Sequence, residues 1–184
     1  MMHIRPTRRL APMLALVGAC AAALAVSLAP SALRAQQAQA TQLGTFGDWA
    51  AYTTDASGTK LCYALSQPQR RLPEGLSRDP GYLFVSFRPS ENVSNEIAAV
   101  MGFPTQDGQT AAGVVDGTTF NFVTRGENAW VQDPAQESNV VASFVRGRSF
   151  ELKVRSARGN DTTDVYSLSG FTAAMNRAKQ ECGV

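Results

Sequence analysis

Beyond residue 40, apolar positions fall into short runs punctuated by Gly, Pro, Asn and Asp, the spacing of strands rather than of long helices. Residues 48–53 (DWAAYT) and 60–66 (KLCYALS) flank a turn at Asp55-Ala56-Ser57-Gly58. Residues 82–87 (YLFVSF) are nearly all apolar, which predicts a central strand, and 95–101 (NEIAAVM) give another. Between them, residues 67–81 hold Pro68, Pro73 and Pro80 and read as a surface loop. Asp116-Gly117 sits between β-formers and supplies the two positive-φ positions of a two-residue hairpin. Residues 118–123 alternate after it, with Phe120 and Phe122 on one face, and 129–132 around Trp130 pair alongside. Residues 150–155 alternate apolar with charged, a half-buried strand. A turn at 158–161 then leads to a last strand at 164–168.

Two stretches change to a helical period. Asp133 caps, Pro134 suits a first helical position and Gln136 completes a capping-box-like start. Val140, Val141, Phe144 and Val145 then recur at helical spacing, and Gly147 stands where a C-terminal cap belongs. The second helix is capped by Ser169 and carries Phe171, Ala174, Met175, Ala178 and Cys182 along one stripe. Together these elements predict a mainly β fold: a single antiparallel β-sandwich or partly open barrel, with a short mid-chain helix and a C-terminal helix packed on it.

The first forty residues follow a different logic. Arg5, Arg8 and Arg9 precede an uncharged apolar run over residues 10–29, and Ala38-Gln39-Ala40 fits a signal-peptidase site. This predicts a signal peptide at 1–40 and a domain at 41–184. A membrane anchor is the alternative, but Pro12 and Gly18 interrupt the run. Val17-Gly18-Ala19-Cys20 resembles a lipoprotein box, yet apolar residues continue after Cys20, which argues against lipid anchoring there. The expected mature form is periplasmic or secreted and does not span the membrane. Over 184 residues, 17 Lys+Arg against 15 Asp+Glu give a net charge of +2. Without Arg5, Arg8, Arg9 and Arg34, 13 basic residues face 15 acidic ones, a net −2, and nothing points to nucleic acid.

Export leaves Cys62 and Cys182 of the three cysteines. In an oxidising compartment this pair reads as a disulfide, and the alternative is a reactive or metal-binding thiol pair. No Cys-x-x-Cys and no zinc-type spacing favours the latter. The single histidine, His3, lies in the signal, so the mature chain lacks the base of the usual Ser-His-Asp and Cys-His arrangements. No G-x-S-x-G, phosphate loop or dinucleotide glycine pattern occurs, and no cofactor is expected. Residues 160–164 (NDTTD) lack calcium-loop spacing and read as a solvated hairpin tip. Glu74, Glu91, Glu96 and Glu127 are possible members of a glycosidase carboxylate pair, none singled out. Arg70, Arg71, Arg78 and Arg88 form a candidate basic patch for an anionic surface or glycan, with a solvated loop as the alternative.

Several segments resemble the invasion-associated locus B family: Phe46-Gly47-Asp48-Trp49, Cys62, Ala129-Trp130, residues 140–147, Phe150-Glu151-Leu152, Ser156-Ala157-Arg158-Gly159 and residues 163–174 (TDVYSLSGFTAA). The resemblance implies a secreted or periplasmic bacterial protein, with some members linked to host-cell invasion, and it brings no catalytic residues. Where many members carry another cysteine after the tryptophan, this chain has Ala51-Tyr52-Thr53, leaving Cys62 and Cys182 as the available pair. The leading expectation is a non-enzymatic envelope protein that binds an envelope or host-surface protein or glycan. The alternatives are a small periplasmic inhibitor of a lysozyme-like enzyme, with residues 67–81 entering its cleft, and a carboxylate-based glycan hydrolase.

Overall fold

A computed structural model describes residues 39–56 and 58–184. The export signal expected over 1–40 lies, up to residue 38, outside the described residues, as does Cys20. The first five strands are β1 (Thr41–Phe46), β2 (Trp49–Ala56), β3 (Thr59–Ser66), β4 (Arg70–Leu72) and β5 (Tyr82–Arg88). Then come β6 (Val93–Val100), β7 (Thr110–Val115), β8 (Thr118–Arg125) and β9 (Asn128–Val131). Helix α1 (Glu137–Arg146) separates these from β10 (Ser149–Arg155) and β11 (Asp161–Ser167), and α2 (Phe171–Cys182) closes the chain.

All eleven strands belong to one antiparallel sheet, ordered β1-β2-β3-β5-β6-β9-β8-β7-β10-β11-β4 and not closed. The fold is mainly β, as the periodicity predicts. Its two ends nevertheless approach each other. The chain leaves β3 at Ser66 and by Arg70 is already paired with β11, at the far end of the strand order. Gln69 N donates to Val165 O at 2.8 Å during this crossing. The stretch expected as a plain surface loop therefore contains β4, three residues too short and too polar to show a period of two.

Phe150, Leu152 and Val154 of β10 face the core, the alternation expected there; Cys62 and Ala64 on β3 and Leu83, Val85 and Phe87 on β5 alternate likewise, although the apolar run of β5 gave no sign of it. The helices close the inner side of this curved sheet. Phe171, Ala174, Met175 and Ala178 of α2 and Val140, Val141 and Phe144 of α1 are buried there. Phe144 meets Phe150 at 4.8 Å and Phe171 at 5.4 Å between ring centroids, joining both helices to the sheet. Cys62 and Cys182 form a disulfide, Cα atoms 5.9 Å apart, tying β3 to the last residue of α2. The alternative of a free thiol pair is thereby set aside.

Local signals fared unevenly. The β7–β8 hairpin turns at Asp116 (φ 44°) and Gly117 (φ 88°), as the Asp-Gly pair predicts. Asp133 does cap, its Oδ1 accepting from Ala135 N at 3.0 Å, but it starts a single 3-10 turn before α1. Gln136 does not reach back; its Oε1 accepts from Asn139 Nδ2. Val145 is 45% exposed, on the outer side of α1. Gly147 is the C-terminal cap of α1, as expected, its N–H donating to Ser143 O at 2.8 Å; its backbone is extended, and a Cβ there would stand 2.6 Å from Val115 Cγ1. Ser169 does not cap α2; the N-terminal cap is Gly170, with φ 90° and no side-chain bond. Strand β1, with its irregular Gly44, escaped the pattern reading because it has no alternation to read.

Candidate functional site

The four arginines of the candidate patch do not form one surface. Arg70 is exposed on β4, and Arg88 lies apart on β5. Arg88 is held by two glutamates: Nε donates to Glu91 Oε2 at 2.7 Å, and Nη1 and Nη2 donate to Glu96 at 2.7 and 3.0 Å. These bonds, Glu96's first, raise its pKa above the ordinary guanidinium value. Glu91 and Glu96 are therefore occupied with Arg88, Glu74 is exposed on its loop, and Glu127 lies in a separate turn. Of the four, only Glu91 and Glu96 are brought together, and they meet across the Arg88 guanidinium.

Arg71 and Arg78 turn inward. Register places Arg71 opposite Asp164, which is fully buried. Arg71 Nε donates to Asp164 Oδ1 and Oδ2 at 3.0 and 3.2 Å, Nη1 to Asp79 O at 2.6 Å, and Nη2 to Met101 O. Arg78 approaches Asp164 Oδ1 at 3.6 Å, and its Nη2 donates to the carbonyls of Arg71 and Pro73 at 2.8 and 3.0 Å. Burial pushes the Asp164 carboxyl above its ordinary pKa, and hydrogen bonds from Arg71 oppose that rise. Burial, then repulsion from Arg71, lowers the Arg78 value. This cluster anchors β4 and the following segment to β11. Asp164 is likewise no member of a solvated tip, unlike Asp161, whose carboxylate meets Arg155 at the surface at 3.2 Å. The linear sequence hid the pairing because Asp164 lies 93 residues after Arg71.

Two surface features remain. A cleft of about 390 Å³ opens beside the cluster. Residues 76–79 form one wall and 157–160 the other, with 102–104 between them. Asp79 N donates to Gly102 O and Ala157 N to Pro104 O, both at 2.9 Å, so both walls are tied to the middle segment. Sequence reasoning missed this cleft because its segments come from four separate loops and carry no common motif.

The second feature is the outer face of the sheet. Register sets Tyr52 opposite Tyr63, Leu65 opposite Phe84, Phe84 opposite Ala98 and Ala98 opposite Trp130. All are half-buried and point away from the core positions of the same strands. Tyr52 and Tyr63 stack at 5.3 Å, and Tyr63 reaches Phe84 at 5.7 Å. An antiparallel sheet with one wet face ordinarily alternates apolar with polar. Here Tyr52, Tyr63, Leu65, Phe84, Ala98 and Trp130 run across five neighbouring strands and continue to Val123 opposite Trp130 on β8, bounded along the strands by the Arg88–Glu96 pair at one end and by Asn128 opposite Arg125 at the other. The nearly continuous apolar run of β5 is its trace in the sequence.

No family model, curated protein or solved structure matches this chain. Among the described residues no helix is long and apolar enough to cross a membrane, and no group of three or more His, Cys, Asp or Glu gathers as a metal site.

Proposed function

We propose that this chain is an exported, disulfide-stapled binding protein of the bacterial cell envelope, akin to the invasion-associated locus B proteins it resembles. It acts by docking an envelope or host-surface component on the outer face of β2, β3, β5, β6 and β9. The observation that carries this reading is the outward aromatic row Tyr52–Tyr63–Phe84, with Trp130 beyond Ala98. Contiguous uncharged apolar surface of this kind marks interaction sites in soluble domains, and tyrosine and tryptophan are favoured at the centres of such sites. Two of the segments that carry the resemblance, Phe46-Gly47-Asp48-Trp49 and residues 163–174, pack on each other through Asp48, Trp49, Ser169 and Phe171. A photo-crosslinker at Tyr63 in intact cells should trap one discrete partner, lost on Trp130→Glu while the melting temperature holds. A clean blank at Tyr63, with crosslinks only at random surface sites, would reject this face.

A second reading, an inhibitor of a lysozyme-like enzyme, is favoured by Leu72 and Leu76. They stand 36% and 38% exposed on the segment expected to enter the cleft of such an enzyme. Absence of inhibition across a lysozyme panel at micromolar protein would remove it.

A further inference from the structure

We propose that the cleft between residues 76–79 and 157–160 binds a small zwitterion with an apolar body, an α-amino acid or a whole dipeptide with both ends free. This does not depend on the outer face. Three observations carry it.

The first is volume. About 390 Å³ falls within the range of small-ligand pockets, roughly 300–1,000 Å³, and Leu76, Phe103, Pro104 and Ala157 supply apolar lining. The second is charge beneath the cleft. Arg71 and Arg78 share the single carboxylate of Asp164, and Arg71 takes its hydrogen bonds. Arg78 is left with a 3.6 Å ion pair and bonds to backbone carbonyls, which do not neutralise it. Its side chain is only 7% exposed and lines the cleft, so an excess positive charge sits at the cleft boundary, where a carboxylate would offset it. The third is charge above. Arg158 lines the opposite wall, and Asp79 and Glu127 also line the cleft; among the described residues none of these three makes an ion pair. Arg158 adds to Arg78 for a carboxylate, whereas Asp79 and Glu127 provide for an ammonium and oppose a simple anion. A ligand bearing both charges satisfies both sets.

Calorimetric titration of the purified protein with Ala-Phe dipeptide, N-acetyl-Ala-Phe and Ala-Phe-amide tests this, with amide shifts mapping the site. Ala-Phe should bind, and each blocked form should bind at least about tenfold more weakly. Shifts should gather at 76–79, 102–104 and 157–160. Arg158→Gln should reduce Ala-Phe affinity as amidation does, and Asp79→Asn with Glu127→Gln as acetylation does. Equal binding of all three peptides, shifts elsewhere, or no binding at millimolar concentration would overturn the proposal. The blocked peptides are titrated into the wild-type protein, so the comparison among them holds even where a variant fails to fold.

Discussion

The indole Nε1 of Trp49 donates to the carbonyl of Ser167 at 2.8 Å, joining β2 to β11 although they lie near opposite ends of the sheet order. Around this bond the two ends of the domain meet. Asp48 N donates to Ser169 O at 3.0 Å, Ser66 Oγ to Asp48 O at 2.7 Å, and the Trp49 ring lies edge-on to Phe171 at 4.9 Å.

Trp49→Phe keeps an aromatic ring beside Phe171 but removes the donor and part of the packed volume. It should destabilise the fold by about 2–4 kcal/mol, combining a buried carbonyl left unpaired with a partial cavity. Urea denaturation checks this, and a loss below about 0.5 kcal/mol would mean that the bond holds nothing together.

Gly170 stands in the left-handed region, and a Cβ on it would lie only 1.7 Å from the Phe46 carbonyl oxygen. Gly170→Ala should therefore abolish soluble folded protein or cost more than about 4 kcal/mol. Gly183 has a similar φ of 69° with open space around it, so Gly183→Ala should cost only about 1 kcal/mol. Comparing the two separates crowding from backbone strain.

The Cys62–Cys182 bridge spans 120 residues of sequence. Loop-closure entropy puts its contribution near about 4–5 kcal/mol as an upper figure. Reduction should lower the melting temperature, and so should Cys182→Ser. Both cysteines should resist alkylation in the native protein and react once reduced. Lys60 Nζ, which reaches Glu181 Oε1 at 3.0 Å beside the bridge, is too exposed to replace it.

Asp164→Asn leaves two half-buried guanidiniums without a carboxylate and should cost about 2–4 kcal/mol. Arg70→Gln, on the same short strand as Arg71 but exposed, should stay within about 0.5 kcal/mol. Chemical denaturation of the two side by side tests whether the arginines near β4 serve structure or surface. Equal, small effects would contradict the inward placement of Arg71 and Arg78.

The sequence alone determined the strands with a clear period, the Asp-Gly hairpin, the stripe of α2 and the cysteine pair. Apart from the cysteine pair, each of these is written in neighbours a few residues apart, where backbone geometry acts directly. The tertiary structure alone decided the rest. Arg71 and Arg78 counted as surface charge until β4 paired with β11 and brought Asp164 against them. Gly147 caps α1 as its position predicts, but at both Gly147 and Gly170 another segment leaves no room for a Cβ, which nothing in the neighbouring residues reveals. The cleft and the outer aromatic face arise where separate loops and strands converge. Burial, charge compensation and close approach are properties of residues distant in sequence, and only the folded chain sets which of them meet.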